Sequence, residues 1–310
     1  MSEFENPLER DNAPEIKKEK KKKEVPVVAS EQQSPFTALN GLSNLQQRVI
    51  AGVLGGAFVI GSVYLSEWSF FALFFGITLL SMMEFYKLII QDKKKPNRVP
   101  GLIIGMLIYT LVFLIQKDLL PSKSFLLIPP FLCLLFIHEL YINKKKPFNN
   151  VAFTIIGLLY VAIPFSLLTV AAFSKGNYSY QIVLGSLFLL WASDSGAYFS
   201  GKTFGKTKLF ERVSPKKTWE GSIGGAALSM TVAVILAQYY TDLVLWKWCV
   251  LSAIIVIVGS YGDLVESSFK RSLKLKDSGS LIPGHGGFLD RFDGLLLAAP
   301  FIAAFLVLAD

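Results

Sequence analysis

The sequence predicts an all-α, polytopic integral membrane protein with about nine transmembrane helices. Composition is the first indication: 52% of the 310 residues are hydrophobic and only 17% are charged, whereas soluble proteins carry roughly 25% charged residues. The second is the length of the apolar runs, which approach the about 20 residues that span a bilayer. Continuous apolar runs of this length specify helices, because lipid leaves no other partner for the backbone.

Residues 1–44 are polar and include a run of six lysines and one glutamate between Lys17 and Lys23. They cannot bury enough apolar surface to fold, so we expect a disordered cytoplasmic tail. Residues 45–310 form the predicted transmembrane domain. Its nine apolar segments lie near 46–65, 67–90, 100–117, 124–142, 148–173, 180–200, 218–239, 245–266 and 291–309.

Loop charge predicts the orientation. The loops at 91–99, 143–147, 201–217 and 267–291 hold 4, 3, 6 and 5 Lys or Arg residues, and the intervening loops hold no more than two each. By the positive-inside rule, the N-terminus and the basic loops are cytoplasmic and the C-terminus faces out. The net charge of +8 is therefore explained by topology, and no nucleic-acid partner is expected. Pro129 and Pro130 should interrupt the fourth segment.

The stretch from Gly259 to Gly294 carries the strongest chemical signal. Asp263, Asp290 and Asp293 lie at the edges of two apolar segments, around a basic loop. Acids in such places are costly and usually functional. Asp290 and Asp293 share a face if the last helix begins here. Carboxylates beside Lys and Arg suit a divalent metal that carries a polyphosphate, although a solvated loop whose acids pair with its own lysines is an alternative.

Two upstream stretches carry further signals. Asp194 lies within the sixth segment, where it either contacts metal or substrate or pairs with a nearby Lys. The glycines at 196, 201 and 205 suit either phosphate binding or helix packing. Ser214-Pro215-Lys216-Lys217-Thr218 is either an anion cradle at a helix start or a positive-inside flank with a Thr N-cap.

Three other polar residues allow simpler interpretations. Glu84 and Glu139 lie near the cytoplasmic ends of their segments, where pairing with adjacent lysines is the favoured interpretation. His285 lies between two glycines. It either donates to a phosphate, acts as an acid or base, or caps the loop.

The Gly259–Gly294 stretch resembles the signature of the phosphatidate cytidylyltransferase (CDP-diacylglycerol synthase) family, and the two upstream stretches resemble that family's other motifs. The likeness covers roughly residues 190–294. The matching residues are Ser267, Lys270-Arg271, Lys276-Asp277, Gly279, Pro283, His285-Gly286-Gly287, Asp290-Arg291 and Asp293.

The resemblance implies that CTP and phosphatidate react to give CDP-diacylglycerol and pyrophosphate, with Mg²⁺ as cofactor and a second, monovalent cation left open. It also implies a homodimer in the cell (inner) membrane, with the site in residues 190–310. The expected catalytic residues are Asp263, Asp290, Lys270 and Arg271. The expected substrate-binding residues are Ser214, Lys217, Lys206, Lys276, His285 and Arg291. The expected metal ligands are Asp263, Asp290, Asp293 and Asp194.

Two other function classes would also place acids in membrane segments. A cation-coupled transporter needs them near mid-membrane in paired, interrupted helices, whereas these acids cluster at one face. An enzyme that transfers a phosphatidyl group from a CDP-lipid has more acids along one helical stretch, and Asp293-Gly294 alone does not supply that pattern.

Overall fold

Helices make up almost all of the ordered structure in the computed structural model, which describes residues 44–142, 145–273, 275, 278–279 and 287–309. The predicted tail, 1–44, lies outside the described residues except for Asn44. The helices are α1 (Asn44–Leu65), α2 (Glu67–Gln91), α3 (Arg98–Gln116), α4 (Ile128–Tyr141), α5 (Pro147–Gly157), α6 (Ile163–Ala172), α7 (Tyr180–Phe204), α8 (Trp219–Tyr239), α9 (Leu245–Ser272) and α10 (Leu289–Leu308).

Eight helical stretches of the described chain are long and apolar enough to cross a membrane. A shorter apolar helix, Gly52–Leu65, lies within α1. Two of the eight contain a change of helix type: a 3₁₀ turn at Ser122–Leu127 leads into α4, and a π-helical turn at Leu158–Ala162 joins α5 to α6. The prediction of an all-α polytopic membrane protein is therefore confirmed, with eight helices long enough to span among the described residues where about nine were expected. The first apolar run corresponds to the shorter helix within α1.

Local sequence sets the helix boundaries. Ser179 caps α7 by accepting a hydrogen bond from the Ile182 N–H at 3.1 Å, and Ser66 forms a capping box with Ser69 at the start of α2. Such side-chain oxygens satisfy N–H groups that have no partner within the helix. Pro129 lies in the first turn of α4, where its missing N–H costs nothing. The predicted interruption of the fourth segment is thus the junction between the 3₁₀ turn and α4.

The loop between α7 and α8 contains an antiparallel hairpin that the sequence did not predict. Its strands are β1 (Lys208–Phe210) and β2 (Ser214–Thr218). The N–H groups of Lys206 and Thr207 donate to the Glu220 carboxylate, each at 3.1 Å. Glu220, in the first turn of α8, therefore fastens this hairpin beside the helix start.

Helices α7, α8 and α9 are also joined by hydroxyl groups inside the core. The Ser252 hydroxyl donates to that of Ser229 at 2.9 Å, and the Ser229 hydroxyl donates to the Leu189 carbonyl at 3.1 Å. Both contacts are buried. They fix the register of the helices that form the walls of the site.

Candidate active site

Four helices, α7 to α10, and strand β2 enclose a cavity of about 470 Å³. It brings together seven of the residues that the sequence nominated, although they are up to 99 positions apart in the chain. Acids and cations both face this space, so it can hold a polyanion and the ion that accompanies it. The nominated residues in its lining are Asp194, Lys217, Asp263, Lys270, Asp290, Arg291 and Asp293.

Glycines set the spacing between α7 and α8. A Cβ atom on Gly196 would lie 2.7 Å from the Gly224 carbonyl oxygen, and one on Gly225 would lie 2.7 Å from that of Ser193. Only glycine permits such an approach of two backbones. Of the two uses considered for the Gly196 signal, the structure thus supports helix packing, which places Asp194 at the cavity wall.

A second close contact joins α9 to α10. A Cβ atom on Gly262 would lie 2.5 Å from the Asp293 carbonyl oxygen and 3.0 Å from the Gly294 Cα atom. Because α10 begins at Leu289, Asp290 and Asp293 lie about one turn apart and both face the cavity. The contact also brings Asp263 of α9 beside Asp293.

Among the described residues, Asp263, Glu266 and Asp293 form a group that could hold a metal ion. Their nearest carboxylate oxygens all lie within 4.8 Å of one another. Glu266 is fully buried and forms an ion pair with Lys270. Glu266 was not predicted as a site residue, although its i, i+3 spacing from Asp263 places both on one helix face.

Asp290, a predicted metal ligand, is bound by hydrogen-bond donors. It accepts hydrogen bonds from Lys270 Nζ at 2.6 Å and from the N–H groups of Ser278 and Gly287, each at 3.0 Å. Within the described chain, the structure brings neither Asp290 nor Asp194 into the three-acid group. Asp290 thus binds two described parts of the loop that precedes α10, at Ser278 and at Gly287.

The cations contact the acids directly. Lys217 Nζ lies 2.5 Å from Asp263 Oδ2 and 3.3 Å from the Ser260 carbonyl oxygen. Lys217 belongs to β2, and the next residue, Thr218, caps α8 by accepting from the Gly221 N–H at 3.2 Å. The expected Thr N-cap is therefore present, and Lys217, the residue before it, lines the cavity.

The remaining nominated residues lie elsewhere. Within the described part of the chain, Ser214, Lys206 and Arg271 do not line the cavity. The Lys206 N–H contacts Glu220, and the Arg271 guanidinium donates to the Leu275 carbonyl at 3.1 Å. Lys276 and His285 lie outside the described residues.

Among the described residues, the lysine partners predicted for two buried glutamates are not found. Glu139 accepts from the side-chain amides of Asn97 at 2.5 Å and Asn150 at 2.7 Å. Glu84 accepts from the Leu289 N–H at 3.0 Å. In the described chain neither glutamate pairs with a lysine, because both are buried where the available donors are neutral.

Comparisons with known proteins agree with the geometry. The cytidylyltransferase family matches residues 46–309. A phosphatidate cytidylyltransferase of Bacillus subtilis (strain 168) is 30% identical over 269 residues, which cover 86% of this chain and 98% of the relative. One from Staphylococcus aureus (strain COL) is 32% identical, covering 74% and 87%. One from Haemophilus influenzae is 46% identical over 129 residues, covering 40% and 45%. The chain therefore belongs to the cytidylyltransferase family.

Proposed function

We propose that this protein transfers the cytidylyl group of CTP to phosphatidate and releases pyrophosphate. The observation that carries the proposal is the cavity of α7–α10, whose lining holds lysines together with Asp263 and Asp293, two members of the three-acid group. The relatives that are about 30% identical over most of the chain are phosphatidate cytidylyltransferases, which supports the same reaction here.

The residues account for the chemistry. A phosphatidate phosphate oxygen attacks the α-phosphorus of CTP, and the bond from that phosphorus to the β-phosphate bridging oxygen breaks. The nucleophile is already anionic, so no strong base is required. The main barrier is the approach of two polyanions, and Lys216, Lys217 and Arg291 offer positive charge from two walls of the cavity.

The acid group fits a hard divalent cation, because such ions prefer carboxylate oxygens. Asp263, Glu266 and Asp293 would hold Mg²⁺, and Asp194 lies on the facing wall. A bound Mg²⁺ ion supplies charge neutralisation and polarisation of the α-phosphate. We retain Asp290 as a residue of this site, with Lys270 as its direct partner.

The reaction can be tested with purified protein in detergent micelles. We expect CDP-diacylglycerol and pyrophosphate to appear in equal amounts when CTP and phosphatidate are both present. Diacylglycerol offered in place of phosphatidate is the control, since it lacks the attacking phosphate. Pyrophosphate release without phosphatidate, or no CDP-lipid in a correctly folded preparation, would contradict the proposal.

The protein is a multi-pass membrane protein, and we further propose that it lies in the cell (inner) membrane with its N-terminus in the cytoplasm. The support is the alternation of loop charge. In a background without Cys133 and Cys249, a cysteine at Ser122 should react with an impermeant maleimide outside the cell. A cysteine at Lys208 should be protected until the membrane is opened, and the reverse pattern would overturn this orientation.

A homodimer is also part of the proposal, and its support is the family resemblance. Light scattering on the purified protein, corrected for detergent, should give twice the mass of 34.3 kDa. A single-chain mass at activity-retaining detergent concentrations would contradict it.

A further inference from the structure

Helix α2 contacts the active site although it lies outside the four helices that line the cavity. Its Glu84 is 3% exposed. The Glu84 carboxylate accepts from the Leu289 N–H at 3.0 Å and from the Ser278 hydroxyl at 3.4 Å. Leu289 is the first residue of α10, so its N–H has no partner within that helix. Glu84 therefore caps α10 from a distant part of the chain.

Asp290 also binds the chain at Ser278 and just before α10. The Asp290 carboxylate accepts from the N–H groups of Ser278 and Gly287, while also pairing with Lys270. Ser278 thus donates one hydrogen bond from its hydroxyl to Glu84 and another from its N–H to Asp290. Because the two carboxylates share this residue and lie at the same end of α10, displacing Glu84 should displace Asp290.

Two glycines show how closely the backbone surrounds Glu84. A Cβ atom on Gly279 would lie 2.6 Å from Glu84 Oε1, and one on Gly287 would collide with Glu84 Oε2. Neither position has room for a side chain while the carboxylate remains in place. The backbone at 279 and 287 is therefore fitted to Glu84.

The next residue of α2, Phe85, contacts the residue that precedes Lys270, the partner of Asp290 in the ion pair. The Phe85 ring stacks on that of Phe269, with centroids 5.3 Å apart and an interplanar angle of 20°. Phe269 directly precedes Lys270 on α9. Residues 84 and 85 together thus contact both chain segments that carry the Lys270–Asp290 pair.

We infer that Glu84 is a positioning residue for cytidylyl transfer: it fixes the start of α10 and so sets Asp290 and Lys270 in the cavity. The inference rests on the proposed function. Small displacements of catalytic groups can cost up to about 10² in rate, so a contact that never touches substrate can still limit turnover.

The first experiment compares two buried glutamates. Glu84→Ala should lower kcat between about ten- and a hundred-fold, measured per folded molecule with CTP and phosphatidate. Glu139→Ala is the matched control, because Glu139 is also buried and holds two neutral donors but does not line the cavity. It should keep the wild-type kcat. Glu84→Gln retains an acceptor for the Leu289 N–H and should recover most of the lost kcat.

A second variant tests the same contact without removing the carboxylate. Gly279→Ala should lower kcat in the wild-type background, because its methyl group displaces Glu84. In a Glu84→Ala background it should cost nothing further, since the colliding atoms are gone. A general loss of stability would not make the effect of Gly279→Ala on kcat depend on the residue at position 84.

The outcomes separate the inference from the function on which it rests. An active wild type with equal kcat for Glu84→Ala and Glu139→Ala would overturn the inference alone. So would a Gly279→Ala loss of equal size in both backgrounds, or a Glu84→Gln variant as impaired as Glu84→Ala. A well-folded wild type that makes no CDP-lipid would overturn the proposed function and this inference with it.

Discussion

Buried acids occur in two regions of the molecule, and their surroundings differ. In the region of α3–α5, Glu139 is enclosed and its oxygens accept from the amides of Asn97 and Asn150. In the region of α7–α10, Asp263, Glu266 and Asp293 lie close together. Asp263 and Asp293 line a cavity of about 470 Å³, and Asp263 and Glu266 contact lysines. An acid satisfied by neutral donors can stabilise a fold, whereas convergent acids beside cations are suited to a charged ligand.

The largest expected effect concerns the convergent acids. Asp263→Asn and Asp293→Asn preserve shape but each removes a charged oxygen, so activity should fall by roughly 10²–10³, or about 3–4 kcal/mol. The assay is CDP-diacylglycerol formation at saturating CTP. Asp92→Asn is the control, since Asp92 is half-exposed and lies 4.0 Å from Lys94. Wild-type rates for both cavity variants would remove the distinction between the two regions.

A smaller loss is expected at the lysine that meets these acids. Lys217→Met removes the cation 2.5 Å from Asp263, and a hydrogen bond to a charged group contributes about 1.5–3 kcal/mol. The KM for CTP should rise roughly ten- to a hundred-fold by the same range. The exposed Lys208, outside the cavity lining, provides the control Lys208→Met. An equal rise in both variants would indicate general charge attraction.

Glu139, whose carboxylate is bound by two amides, should affect stability and leave turnover unchanged. Glu139→Ala removes the carboxylate that accepts from two buried amides, which should lower the free energy of unfolding by about 1–3 kcal/mol. Turnover per folded molecule should not change. Thermal unfolding in detergent, followed by fluorescence, measures the first quantity. A variant with wild-type stability but reduced turnover would give Glu139 a catalytic role and break the comparison.

The smallest effect should come from the N-terminal tail. Residues 1–43 precede α1 and contain none of the three motif stretches, so their removal should leave specific activity unchanged. Activity is compared at equal amounts of membrane-inserted protein, with removal of 1–25 as an intermediate control. A large loss confined to the longer deletion, once insertion is matched, would assign residues 26–43 a role that the sequence did not indicate.

Much of this fold could be predicted because its signals are local. Hydrophobicity over about 20 residues fixes a membrane segment, and the nine apolar runs match the helices. The short strands Lys208–Phe210 and Ser214–Thr218 were missed, because three and five residues are too few for a recognisable alternation. The second of these stretches was interpreted either as an anion cradle at a helix start or as a positive-inside flank, and neither interpretation requires a strand.

The parts of the site that could not be predicted depend on contacts distant in sequence. Glu84 accepts a hydrogen bond from Leu289, which is 205 positions away in the chain, and no local sequence pattern indicates that contact. Glu266 joins Asp293 only because Gly262 lets α9 and α10 approach. Asp290 was predicted from its place beside an apolar segment, its spacing from Asp293 and the family resemblance. None of these identifies the groups that donate hydrogen bonds to it.

Metal binding provides the most direct test of the claim that the α7–α10 cavity is the reaction site. Mn²⁺ can replace Mg²⁺ as a probe, and its bound fraction can be measured by electron paramagnetic resonance in the presence of CTP. We expect wild type and Glu139→Gln to bind Mn²⁺ equally, and Asp263→Asn and Asp293→Asn to bind it much more weakly. Equal binding by all four well-folded proteins would contradict the account.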